Sequence, residues 1–127
     1  MHKGKFGTAI VCMDGRVQLP VHNWLMKKYS LDYVDTITEP GPDKILSQGT
    51  SLQVESIKSR VLISVNAHGS DTIFISAHHD CAGNPVSRDE HIEMVKHCIN
   101  IVKGWNLPVK HIIGAWIDEK WDIYIIE

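Results

Sequence analysis

The sequence predicts an α/β fold: three α-β-α layers around a mainly parallel sheet in the order 2-1-3-4, with an antiparallel C-terminal edge strand. Three observations predict it. Short apolar runs alternate with longer stretches of helical periodicity along the chain, and such units join through right-handed crossovers that bury a parallel sheet between helices. The first and third apolar runs end in Cys12 and His78; the order 2-1-3-4 puts those ends side by side where the winding reverses, which is where such sheets bind ligands. Finally, 127 residues, 43% hydrophobic and 22% charged, suffice for one core, so residues 1–127 read as one domain.

Taken in order, Phe6 to Met13 is a short apolar strand, and Leu19 to Tyr29 a helix with Pro20 in its first turn. Tyr33 to Thr38 is a second strand, and Glu39-Pro40-Gly41-Pro42-Asp43 reads as a loop by its punctuation. Leu52, Val54, Ile57, Val61, Leu62 and Val65 recur at helical intervals, giving a helix from Thr50 to Ala67 that stops near Gly69. The third strand is Thr72 to His78. Ser87-Arg88-Asp89-Glu90 has the capping-box pattern and opens a helix whose inward face is Ile92, Val95, Ile99 and Val102, with Cys98 beside them as a core residue. His91 and His97 fall on the polar face of that helix and read as solvated. Gly104 and Pro108 end it. His111 to Ile117 and Trp121 to Ile126 then form a hairpin across Asp118-Glu119-Lys120. The four tryptophans, at 24, 105, 116 and 121, read as core or subunit contacts.

The chemistry gathers at two strand ends. Cys12-Met13-Asp14-Gly15-Arg16 places a thiol, a carboxylate and a guanidinium within five residues, and His78-His79-Asp80-Cys81 adds imidazole and a second thiol. Thiolate sulfur and imidazole nitrogen suit zinc, and a catalytic zinc takes three protein ligands. Cys12, His78 and Cys81 supply that set. His79 is the next residue along the strand and points to the opposite face, so His78 is the preferred ligand. A cysteine phosphatase is excluded, because three residues between Cys12 and Arg16 are too few to wrap backbone amides around a phosphate.

The net charge of -2 and pI of 6.4 give no basic footprint for nucleic acid. No run reaches transmembrane length, and the apolar run ending at Cys12 lacks the flanks of a signal peptide. Three cysteines fit a reduced, cytoplasmic setting better than a disulfide framework.

Cys12-x-Asp14-x-Arg16 followed by His78-x-x-Cys81 resembles the β-class carbonic anhydrases, and Ile112-Ile113-Gly114-Ala115-Trp116-Ile117-Asp118 is similar to that family's strand after the last long helix. The resemblance implies Zn²⁺ on Cys12, His78 and Cys81, with carbon dioxide and bicarbonate as substrate and product. It implies that Asp14 accepts a hydrogen bond from the attacking hydroxide, or swings in as a fourth ligand in a closed state, while Arg16 holds it away. It also implies a homodimer or higher homo-oligomer. Two thiolates offset the charge of the metal, so such a pair is needed to compensate. His22, His68 and His79 are candidate proton carriers.

The chain departs from the family in having Gly15 where most members have serine, and Thr38 to Asp43 in place of an Arg-Asn-Ala-Gly stretch, with only Gly41 matching. The family's N-terminal helical arm has no counterpart, and its bicarbonate-holding glutamine cannot be placed. Two alternatives stay open: a zinc hydrolase of carbon disulfide or carbonyl sulfide on the same fold, and a non-enzymatic zinc module closed by Asp14.

Overall fold

A computed structural model describes residues 4–127. Five strands form one sheet in the order β2-β1-β3-β4-β5: β1 (Phe6–Cys12), β2 (Tyr33–Glu39), β3 (Thr72–His78), β4 (His111–Ile117) and β5 (Ile123–Ile125). The first four run parallel and β5 is antiparallel to β4. The predicted order is therefore found, with β5 as the antiparallel edge.

Alternation along the strands sorts the core into two clusters. On one face Ile10, Ile37, Ile73 and Ile75 pack under α2 (Pro42–Gln48), α3 (Ser51–His68) and α4 (Arg88–Lys103). On the other, Ala9, Val11, Phe74, Ile113 and Ala115 meet α1 (Gly15–Tyr29) through Val17, Val21 and Leu25. The layers are thus unequal, with three helices on one face and one on the other.

Three differences from the predicted elements have local causes. Helix α1 begins at Gly15, four residues before the expected start, because Asp14 caps it by accepting the Arg16 N–H. Pro20 then lies inside the helix, where its ring removes the bond that the Arg16 carbonyl would accept. The second difference is α2, which occupies residues expected to be loop. Gly41 takes a left-handed φ of 67° as its N-cap and Pro42 opens its first turn. Helix α3 is closed by a reciprocal capping box between Thr50 and Gln53 and by left-handed Gly69. The C-terminal strand is shorter than expected, since Asp118 accepts the Lys120 and Asp122 N–H groups and holds Trp121 and Asp122 in the turn. Among the described residues no helix is long and apolar enough to cross a membrane.

Candidate metal centre

Parallel pairing of β1 with β3 brings the ends of both strands to one edge of the sheet. Cys12 is the last residue of β1 and His78 the last of β3, and a turn through left-handed Asp80 (φ 59°) returns Cys81 to them. The ligand atoms of Cys12, His78 and Cys81 all lie within 4.8 Å of one another, and all three residues are buried. This is the only such cluster among the described residues.

The donors fit a tetrahedral zinc. The two sulfurs are 3.9 Å apart, and two sulfurs about 2.3 Å from one tetrahedral ion lie roughly 3.8 Å from each other. His78 Nδ1 donates to the His79 carbonyl at 2.6 Å, a bond that leaves the lone pair on Nε2. Nε2 is buried and has no hydrogen-bond partner among the described residues. A ring nitrogen fixed from behind by a backbone acceptor is the usual support of a metal-bound imidazole. His79 is exposed and faces a separate hollow with Trp116 and Tyr124.

The two neighbouring thiols shift each other in opposite directions. The Cys81 thiol beside it lowers the Cys12 pKa most, against the opposing effect of burial, and His78 and the N–H groups of Gly41 and Asp14 help bring it to about 4. The Cys81 pKa is raised, first by that same contact with the Cys12 thiolate and then by burial. For His78 burial opposes the charged form, but the Cys12 thiolate and the His79 carbonyl outweigh it and raise the pKa. The pocket therefore favours thiolate, the form that binds metal, at Cys12, while Cys81 is disfavoured as thiolate by that charge beside it.

Asp14 is turned away from the three donors and is not a member of their cluster. Its carboxylate accepts from Arg16 Nη2 at 2.7 Å, from Nε at 3.1 Å and from the Arg16 N–H at 2.9 Å. Those side-chain bonds come first among the causes that lower the Asp14 pKa to about 2. Arg16 also reaches the carboxylate and carbonyl of Asp80, at 3.3 and 3.2 Å, and lies 4.7 Å above the Trp121 ring. Gln18 Nε2 donates to the carbonyls of Cys12 and Asp14, fixing the turn between them.

Asp80, Trp121 and Gln18 were not singled out as site residues by the sequence. Asp80 stands inside the second motif and was the most legible of them. His91 is a correction: it is buried and bonded to Asp43, not solvated, because α2 covers the helix face that carries it. His97 is exposed and Cys98 is in the core, as expected. Of the tryptophans Trp116 is buried, while Trp24, Trp105 and Trp121 are partly buried against the core. Among the candidate proton carriers, His68 is far from the centre, stacked on Phe6 at the start of β1 and bonded to Asp35. His22 is bonded to Thr36 in the middle of β2.

No curated protein matches the chain by sequence. The solved structures that share its fold include two β-carbonic anhydrases. One is the β-carbonic anhydrase isoform I of the protozoan Trichomonas vaginalis (TM-score 0.62, 20% identity, covering 94% of this chain and 81% of that one). The other is the β-carbonic anhydrase CafA of the fungal pathogen Aspergillus fumigatus (TM-score 0.55, 13% identity, covering 95% and 74%). Residues 2–127 match a family model described as "Putative carbonic anhydrase". That match spans both strand-end motifs and the sheet that brings them together, so the chain belongs to this carbonic anhydrase family.

Proposed function

We propose that the chain is a zinc-dependent carbonic anhydrase that reversibly hydrates carbon dioxide to bicarbonate, with Cys12, His78 and Cys81 as metal ligands and Asp14 and Arg16 as an orienting pair. The observation that carries this reading is the donor set: two buried sulfurs at 3.9 Å and a buried imidazole nitrogen with no other partner among the described residues. Zinc held by these residues supplies a Lewis acid that brings the ionisation of water toward neutral pH.

The protein's part is orientation and charge. Asp14, kept ionised by Arg16, is a pure acceptor and aligns an O–H donor entering the site. Arg16, gripped by Asp80 and Trp121 as well, holds that carboxylate back from the ligand cluster. This placement favours a centre open to substrate over a non-enzymatic one closed by Asp14. His79 is the candidate carrier of the released proton, being exposed next to a ligand. We further propose a homodimer, and a cytoplasmic setting, since all three cysteines are free and an oxidising compartment would invite Cys12 and Cys81 to cross-link.

The test is stopped-flow hydration of carbon dioxide by zinc-loaded protein, with carbon disulfide and carbonyl sulfide as comparison substrates. The wild type is expected to exceed buffer and to speed up with pH, and Asp14→Ala at equal zinc content to lose about 100-fold. Buffer-level rates on carbon dioxide for both proteins across roughly pH 6 to 9 refute the reading, and turnover of the sulfur substrates alone transfers it to them.

A further inference from the structure

The proposed chemistry leaves one buried carboxylate unused. Asp43, in the first turn of α2, is 1% exposed. Its Oδ2 accepts from His91 Nδ1 at 2.7 Å and from Asn84 Nδ2 at 3.1 Å, and both partners are 2% exposed. Its Oδ1 has no hydrogen-bond partner among the described residues. Taking a carboxylate out of water is costly, and a neutral, well-packed substitute often serves stability equally well. The placement of Asp43 therefore calls for a cause outside general stability.

The segments that meet at Asp43 adjoin the ligand residues Cys12 and Cys81. Gly41, two residues before it, lies two residues beyond Glu39, the register partner of Cys12 across β1 and β2. Asn84 ends the turn that starts at Cys81, with its N–H bonded to the Cys81 carbonyl at 3.3 Å. These loops touch backbone to backbone. A Cβ on Gly83 would sit 2.5 Å from the Pro40 carbonyl carbon, and one on Gly41 2.9 Å from Asn84 Cβ. The glycines permit that approach but supply no attraction. The Asp43–Asn84 bond does, and His91 in the first turn of α4 steadies the carboxylate from behind.

We propose that Asp43 is a positioning residue of the metal centre: anchored by His91 and bonded to Asn84, it holds the Cys81 loop against the Gly41 turn and so fixes where Cys81 stands relative to Cys12. This rests on the reading of Cys12, His78 and Cys81 as a metal centre. Outer contacts that hold ligands in place fix their direction, and losing such partners costs about 10–100-fold in metal affinity.

The experiment follows two readouts in wild type, Asp43→Ala, Asn84→Ala and Asp43→Asn. One is amide hydrogen exchange at Gly41 and Gly83 in the metal-free proteins, relative to sheet amides at Ile10 and Ile75. The other is zinc affinity by chelator competition, together with the sulfur-to-metal charge-transfer band of the cobalt-substituted protein. Asp43→Ala and Asn84→Ala are expected to speed exchange in the two loops alone, to weaken zinc by about 10–100-fold and to shift the band. Asp43→Asn keeps an oxygen for both bonds and is expected to stay near wild type. Should Asp43→Ala fail to fold, Asn84→Ala decides, because it leaves the Asp43–His91 bond in place. Wild-type exchange, affinity and band position in a folded Asn84→Ala overturn the proposal, as does faster exchange spread evenly over the sheet. If the wild type binds no zinc, the metal-centre reading fails, and unchanged loop exchange in Asn84→Ala still rejects Asp43 as the clamp.

Discussion

Arg16 is held from three sides, by Asp14, by Asp80 and by the face of Trp121, whose backbone takes a left-handed φ of 64°. An aromatic residue in that region is strained, and such strain persists only where surrounding contacts hold it; the contact with Arg16 is one such hold. The pairing of Asp14 with Arg16 has a pH signature. The Asp14 pKa falls from 3.8 to about 2 on folding, first because of the Arg16 hydrogen bonds. A depressed folded value means that the contribution to stability is complete above pH 3.8 and is lost as the pH falls toward 2. It is small, since both side chains are partly solvated. Asp14→Asn keeps a capping oxygen for α1, so the thermal midpoints of variant and wild type should differ by a constant amount near neutral pH and converge between pH 3.8 and about 2. A difference that persists unchanged in acid would show that Asp14 is not held by charge.

At the scale of elements, the contact between the Gly41 and Gly83 loops is the most demanding piece of backbone. Gly83→Ala would drive a methyl into the Pro40 carbonyl group, and backbone is slower to yield than a side chain. A loss of about 1–3 kcal/mol is expected, read by denaturant unfolding of the metal-free protein; Thr50→Ala, which breaks the α3 capping box, should cost about 1 kcal/mol and serves as the comparison. An unchanged midpoint for Gly83→Ala would mean that the loops separate freely. This contact also marks the limit of what the sequence makes legible. Four parallel strands, their order and the strand-end motifs follow from apolar runs and spacing. Helix α2 does not, because seven residues hold too few turns to show a period and Pro40-Gly41-Pro42 punctuates like a loop. The position of His91 fails for the same reason: a face polar by periodicity is buried when an unforeseen helix covers it, and the Asp43–His91–Asn84 cluster became visible only once α2 was in place.

For the molecule as a whole, the two sheet edges differ. β5 is a three-residue strand, and short edges resist further pairing. Its apolar residues are also partly used: Ile123 and Ile126 pack on the two core clusters, leaving Tyr124 and Ile125 exposed. At the other edge, β2 runs for seven residues and pairs with β1 alone. Tyr33 on β2 and Ile63 on the neighbouring α3 stand 54% and 60% exposed. A long edge with apolar neighbours invites a second copy, and a closed pair is the simplest arrangement that leaves no edge free for further growth. We therefore place the proposed homodimer contact along β2. Light scattering at micromolar concentration should report a dimer, with Tyr33→Lys/Ile63→Lys shifting it toward monomer by at least about tenfold in dissociation constant, equivalent to roughly 1.4 kcal/mol, and Tyr124→Lys/Ile125→Lys leaving it intact. A wild-type monomer would remove the homodimer, and a dimer broken only by the β5 pair would move the contact to the opposite edge.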